Sequence, residues 1–233
     1  MRTKKATKPR KQRKRKPAFF DFQGNKFTKL ARDYHHELLH LTIDLRRVNQ
    51  RIQESAVLCH QQIGFIKKQD SHHLISPTGF VHFENALYHI ENFAFRLTGY
   101  RDKVAQFVNQ ALRIGFDEKA MGVLSTLVSH GTVRDAHIDT EFKRFDRDKD
   151  FKEVLSERIL MTHRRYYRGE TGYDNLMRSN LESKSREEKL KLWKQNIQQK
   201  ATRTNRIVLK AIDMNDRIMQ KINSYFKKHP VRP

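Results

Sequence analysis

The chain has 233 residues and carries a formal net charge of +22, with a pI near 10.2. That length suits one large domain, or one domain with extensions, and can bury a sizeable core. No run of about 18 apolar residues occurs, which excludes a bilayer span, and the N-terminal stretch lacks the apolar region of a secretory signal.

Ten basic residues and no acid fall within the first 16 positions, and taking those ten charges from +22 still leaves +12 on the rest. A tail alone therefore does not account for the basicity. Such a field attracts polyanions, with RNA or DNA as the expected partners and no membrane-spanning element. Only 9 Gly and 5 Pro punctuate the chain, which argues for long helices. The single cysteine, Cys59, excludes an intramolecular disulfide framework and suits a reducing, cytoplasmic setting. Its place in a helical pattern fits a small core residue better than a nucleophile.

Met1 to Lys16 repels itself and reads as a disordered electrostatic arm, with Lys14, Arg15 and Lys16 as candidate RNA contacts; we set this arm at residues 1–18 and a helical bundle at 19–233. After Phe19, Phe20 and Phe22, a helix is expected from about Thr28 to Lys67, with the seam Tyr34, Leu38, Leu41, Leu45, Val48, Ile52. At about 1.5 Å per residue, some 40 residues would make a rod of about 60 Å, longer than a compact bundle needs. Part of it should kink or pack on a partner. The same helix holds His36-Glu37-Leu38-Leu39-His40, which matches the zinc signature H-E-x-x-H. With Leu38 and Leu41 facing the core, both histidines fall on the outer face, whereas a catalytic zinc needs a sheltered cleft. The stretch reads as a solvated face, so no metal and no cofactor are expected.

A loop spans about Gln69 to Gly79, then an aromatic-rich helix runs from about Phe80 to Arg113. Gly115-Phe116-Asp117 closes it, and a short helix follows, ending near Gly131. Thr132 with Asp135 opens another, carrying Val133, Ile138, Phe142 and Phe145. FDRDKD is a charged turn into the helix that starts at Phe151. Gly169 to Asn180 is loop-like. The last helix opens on a capping box, Ser185 to Glu188, and keeps a helical rhythm from Leu190 and Trp193 through Ile197, Ala201, Val208, Ile218 and Ile222 to Phe226. Thr204 and Asn215 interrupt that row as polar residues suited to fixing register against a partner helix. No strand-like alternation and no Gly-rich phosphate loop appears. The fold class expected is all-α, a helical bundle with long antiparallel helices and a disordered basic tail.

Two positions break the apolar faces. Phe151 and Leu155 step at spacing 4, 3, 4 to Arg158 and Thr162, and the row from Phe83 to Ala111 admits one charge, Arg101. Inward guanidiniums must be paired and hydrogen-bonded. Either each is tied to a carboxylate near in sequence, with Asp102, Glu91, Glu84 and Glu157 available, or both line a polar cleft for phosphate beside His163.

The segment from about Gly79 to Gly169 resembles the HEPN superfamily, α-helical bundles in which many members carry R-x4-6-H and cut RNA. Here the motif is Arg158-Ile-Leu-Met-Thr-His163, and the helix stretch Phe95 to Lys103 also looks like helices of that superfamily. A core of about 79–169 would then be flanked by long helices at about 28–67 and 185–228. The resemblance implies metal-independent cleavage, in which the ribose 2′-OH attacks the adjacent phosphate and leaves a 2′,3′-cyclic end. His163 would supply acid–base chemistry near neutral pH. Arg158 would hold the charge growing on the phosphoryl oxygens. Family members commonly pair two motifs across a dimer, which implies a homodimeric composite site. A neutralising partner protein is a further expectation. By position rather than by motif, Arg101, Arg164 and Arg165 are candidates for guiding the RNA backbone. A five-residue step turns a helix by about 140°, so Arg158 and His163 converge within one chain only where the helix breaks or bends near Thr162. Three rival readings stay open: a non-catalytic RNA- or DNA-binding protein, an assembly protein built on the long helices, and a zinc enzyme.

Overall fold

In a computed structural model, the structure describes residues 32–68, 77–117, 123–163 and 186–229. They form seven helices and no strand: α1 (Arg32–Lys68), α2 (Pro77–Ala111), α3 (Val123–Ser129), α4 (Gly131–Asp135), α5 (Ile138–Arg147), α6 (Lys149–His163) and α7 (Arg186–Lys228). The fold is an all-α bundle. None of its described helices is long and apolar enough to cross a membrane.

The heptad-like seam of α1 is the reason it lies where it does. Leu38, Leu45 and Ile52 are buried, with Tyr34, Leu41 and Val48 packed against the same core. That core joins Phe93, Leu97, Tyr100, Val104, Phe107 and Val108 of α2 to Ile207, Ala211, Ile218 and Ile222 of α7. At the far end of α1, Cys59, Ile63 and Ile66 meet Ala86, Leu87 and Ile90 of α2 and Ile197 and Ala201 of α7. The long rod therefore stays one uninterrupted helix, because α2 and α7 are as long and cover it along its length. Cys59 is a core residue, and burial pushes its thiol up to about 12.

Polar contacts set the directions of the three long helices. The Tyr34 hydroxyl donates to the carbonyl of Ala111, joining the start of α1 to the end of α2, while the His82 ring lies 2.9 Å from Gln62 at the opposite end. These two helices are thus antiparallel. The His60 ring meets the Ala201 carbonyl at 3.0 Å, which fixes α7 against the later half of α1.

Boundaries differ from the sequence reading where backbone chemistry intervenes. Pro77 opens α2 three residues early, as a first helical position allows, since its missing N–H would have no partner there. The helix ends at Ala111, with Arg113 at φ 51° and Gly115 at φ 80° turning the chain away. The buried Asn109 side chain clamps that exit, donating to the Phe116 carbonyl (2.9 Å) and accepting its N–H (3.1 Å). The single helix expected from Thr132 to Phe145 is split into α4 and α5 at His137, which sits at φ 55°, ψ 24°. That conformation is costly for a non-glycine residue. It is held from outside, because the His137 carbonyl accepts from Lys221 Nζ (2.6 Å) and Thr140 Oγ1 (2.7 Å). Thr204 does not fix register against another helix. Its buried hydroxyl donates to the Ala201 carbonyl one turn back in α7, at 2.7 Å.

Register between α6 and α7 comes from charge. Asp148 caps α6, its Oδ1 accepting the N–H groups of Asp150 (2.9 Å) and Phe151 (3.3 Å). Its Oδ2 takes Lys210 Nζ at 2.6 Å. Asp150 accepts Arg206 Nη2 (2.7 Å) and Nε (3.1 Å) and Lys210 Nζ (2.9 Å). Arg203 spans Glu153 (2.5 Å) and Glu157 (2.6 Å), and Lys200 meets Glu157 at 3.2 Å.

Hydrogen bonding from Arg206 holds the Asp150 carboxyl well below the usual carboxylate range, Lys210 adding to it against burial. A depressed folded-state pKa contributes stability above the unfolded value, near 4, and that contribution is lost as pH falls toward the folded value. Asp150→Asn should therefore destabilise the chain by about 1–2 kcal/mol at pH 7, a figure discounted because Arg206 and Lys210 are half exposed. Urea melts at pH 7 and pH 3 check it: the gap between variant and wild type should begin to narrow at the lower pH.

Candidate functional site

Helix α6 carries both motif residues. Its N-terminus is fixed by the Asp148 cap, and Phe151 and Val154 are buried against α2. That phase turns Arg158 toward α2, where its guanidinium carbon lies 5.8 Å from the centre of the Phe95 ring. About two turns earlier, Phe151 underlies the guanidinium of Arg101 at 5.5 Å. Both arginines occupy the α2–α6 seam and are half-buried, as the spacing predicts.

The partner of Arg101 is not one of the carboxylates near it in sequence. Asp146, at the end of α5, accepts a hydrogen bond from its Nη2 at 3.0 Å and faces its Nε at 2.8 Å as an ion pair. Glu157 leaves the seam altogether for Arg203 and Lys200. The sequence reading looked along the chain, whereas the fold brought in an acid from 45 positions away.

Asp102 lies in the field of both arginines. Although the residue is exposed overall, partial desolvation raises its carboxyl above the usual range, Arg101 and then Arg158 pull it back, and Asp146 pushes it up again. Arg101, Arg158, Asp102 and Asp146 thus form one electrostatic cluster where α2, α5 and α6 meet.

His163 is the last residue of α6, and its side chain is outside the described part. The helix runs without interruption through it, so the break near Thr162 that intrachain convergence needs does not occur in the backbone. Position 163 is turned about 140° from Arg158 around α6. Arg164, Arg165, Lys14, Arg15 and Lys16 lie outside the described residues.

A cavity of about 800 Å³ opens on another face of α6, against α7. Its charged lining is the ladder already described, with Lys149, Lys200, Arg203 and Arg206 facing Asp150, Glu153 and Glu157. These charges largely neutralise one another, so the cavity is an ionic seam rather than an anion site. Its acids and bases recur every three or four residues on their helices, a signal present in the sequence. His36, Glu37 and His40 are on the exposed face of α1, the phase their spacing predicts. Among the described residues, no group of three or more His, Cys, Asp or Glu side chains is placed to hold a metal ion.

No curated protein and no solved structure matches the chain. A family model described as HEPN_Cthe2314-like HEPN matches residues 41–228, from the middle of the α1 seam to the last residue of α7. The match takes in most of both flanking helices as well as the motif-bearing segment, and covers well over half of the 233 residues. The chain belongs to the HEPN_Cthe2314-like HEPN family.

Proposed function

We propose that the protein is a metal-independent endoribonuclease of HEPN type, cutting RNA by attack of a ribose 2′-OH on the adjacent phosphate. The observation that carries this reading is the cluster at the α2–α6 seam, where Arg158 is held over Phe95 within the field of Asp102. A guanidinium fixed in a half-buried place stabilises charge growing on phosphoryl oxygens better than a mobile surface cation would. His163 supplies the acid–base group. Because α6 is continuous through His163, a homodimer resolves the 140° between the two positions: each site takes residues from two copies. Arg164 and Arg165 guide the backbone. Arg101, with its fork on Asp146, contributes charge rather than hydrogen bonds. We place the protein in the cytoplasm, in keeping with one buried thiol.

The test is RNA decay in excess chelator with end-group analysis. Cyclic phosphate ends that depend on Arg158 and His163 support the nuclease. A second reading, a non-catalytic RNA- or DNA-binding module, is favoured by one observation, the pairing of Arg101 with Asp146, which is a structural use of an inward arginine. Binding without decay in any preparation would select it.

Either reading uses the basic arm for affinity without sequence preference. Deleting residues 1–18 should weaken nucleic-acid binding and flatten its salt dependence, since each phosphate neutralised adds nearly one unit to the log–log slope. Titrations between 50 and about 200 mM salt measure this. An unchanged slope would remove the arm from the interface.

A further inference from the structure

Helix α2 turns one face into the core and leaves the opposite one in water. Ala86, Leu87, Ile90, Phe93, Ala94 and Leu97 are buried, while Val81, Asn85, Tyr88, Asn92, Phe95 and Gly99 step by 4, 3, 4, 3, 4 along the outer side. Val81, Tyr88 and Phe95 are 52%, 51% and 44% exposed, and Phe95 keeps that exposure although Arg158 lies over its ring. Large apolar side chains aligned in water over about 27 Å of helix call for a partner.

The outer row has the heptad of a paired helix. Val81, Tyr88 and Phe95 take its d positions, and Asn85 and Asn92 take its a positions, where asparagine fixes register and the number of strands. Gly99 continues the a row. Glycine inside a helix is destabilising relative to alanine, and a Cβ at Gly99 would meet nothing within 4 Å, so no contact within the chain requires it. A close neighbour would.

The flanks decide what that neighbour is. His82, His89 and Arg96 run along the side toward α1, where His82 meets Gln62 at 2.9 Å. Arg96 is anchored there through Nη1, to the Arg51 carbonyl (3.0 Å) and the Ser55 hydroxyl (2.7 Å). Glu84 and Glu91 run along the other side, toward α6. Two carboxylates beside the rings oppose a phosphate chain. A second copy laid antiparallel would bring like flanks together, setting Glu84 and Glu91 against the same two acids. Laid parallel, it turns each acidic flank onto a basic one, and a g position meets the e position five residues on. Glu84 then faces His89 of the second copy, and Glu91 faces its Arg96.

We propose that α2 pairs in parallel with α2 of a second copy, Val81, Tyr88 and Phe95 packing on themselves across a two-fold axis along the helices and Glu91 meeting Arg96. The rings supply the affinity; exposed ion pairs add little energy and instead set orientation. This contact goes beyond the nuclease reading. It is distinct from the one that joins Arg158 to His163 of another copy, because a two-fold along α2 sets the two α6 helices on opposite sides of the pair.

The experiment uses the full chain, whose one native thiol, Cys59, is buried. Val81→Cys and Asn92→Cys should each give disulfide-linked dimers on mild oxidation, since a parallel pair sets every stripe position against itself and an antiparallel pair does so at one position at most. Leu209→Cys, on the exposed face of α7, is the control and should stay unlinked. In sedimentation, Tyr88→Ala should weaken self-association by at least about tenfold. Glu91→Arg and Arg96→Glu should each associate poorly alone and pair when mixed, because the swap restores both ion pairs. Arg96→Glu gives up the bonds to Arg51 and Ser55, so helix content is checked, and the cysteine variants carry the test where it does not fold. A monomeric wild type, linkage at only one stripe position, or equal linkage of the Leu209→Cys control overturns the pairing. Wild-type association in Tyr88→Ala with RNA binding weakened overturns it in favour of nucleic acid. Crosslinks at both stripe positions in a chain that cuts no RNA keep the pairing and sink the nuclease; activity restored by mixing Arg158→Ala with His163→Ala, without those crosslinks, does the reverse.

Discussion

His163→Ala should lower RNA cleavage by about 10²- to 10⁴-fold while leaving RNA affinity close to wild type, the loss expected when one positioned acid–base group is removed. An unperturbed imidazole titrates near 6.5, so it can both take and return a proton at neutral pH, and alanine can do neither. Arg158→Ala should be similarly inactive by a different route, through loss of the cation meant for the phosphoryl oxygens. Arg158 also lies over Phe95 and counters the raised Asp102 carboxyl, so its variant needs a folding control. His163 closes α6, so its variant separates chemistry from folding more cleanly. Equal decay of RNA by wild type and both variants would place the activity elsewhere. A composite site gives a sharper result still: mixing the two inactive variants should restore part of the activity, since one mixed dimer in principle carries one intact Arg158–His163 pair.

Arg203→Ala should cost about 3 kcal/mol of stability, with a fall in Tm of roughly 6–12 °C. The Arg203 side chain is 11% exposed, and its fork joins Glu153 and Glu157, so truncation leaves two acids facing a seam built around a guanidinium. The figure sits at the low end for breaking a buried pair, for two reasons: Lys200 still meets Glu157 at 3.2 Å, and Glu153 is 43% exposed. Glu153→Gln, at the wetter end, should cost about 1 kcal/mol or less. Denaturant melts of the two variants test the order. Equal small losses would mean that α6 is held by Phe151 and Val154 alone, and that the ladder sets register without adding stability.

Much of the fold was legible because burial follows helical period. Leu38, Leu45 and Ile52 on α1, and Ile197, Ala201, Ile218, Ile222 and Phe226 on α7, fall on the faces their spacing assigns, and all are buried. Arg101 and Arg158 were legible as charges on apolar faces for the same reason. The breaks were not. His137 looks like any helical residue, and it takes a left-handed conformation because Lys221, 84 positions away, holds its carbonyl.

By itself the sequence determined the helical class, the long faces of α1, α2 and α7, the strong positive field and the inward phase of the two arginines, all properties of spacing and composition. Only the tertiary structure decided which groups meet: Asp146 on Arg101, Asp102 within the field of both arginines, and Glu157 on Arg203. A helical period tells each side chain which way to face. What it finds there depends on how the helices cross, and crossing brings together residues that lie far apart along the chain.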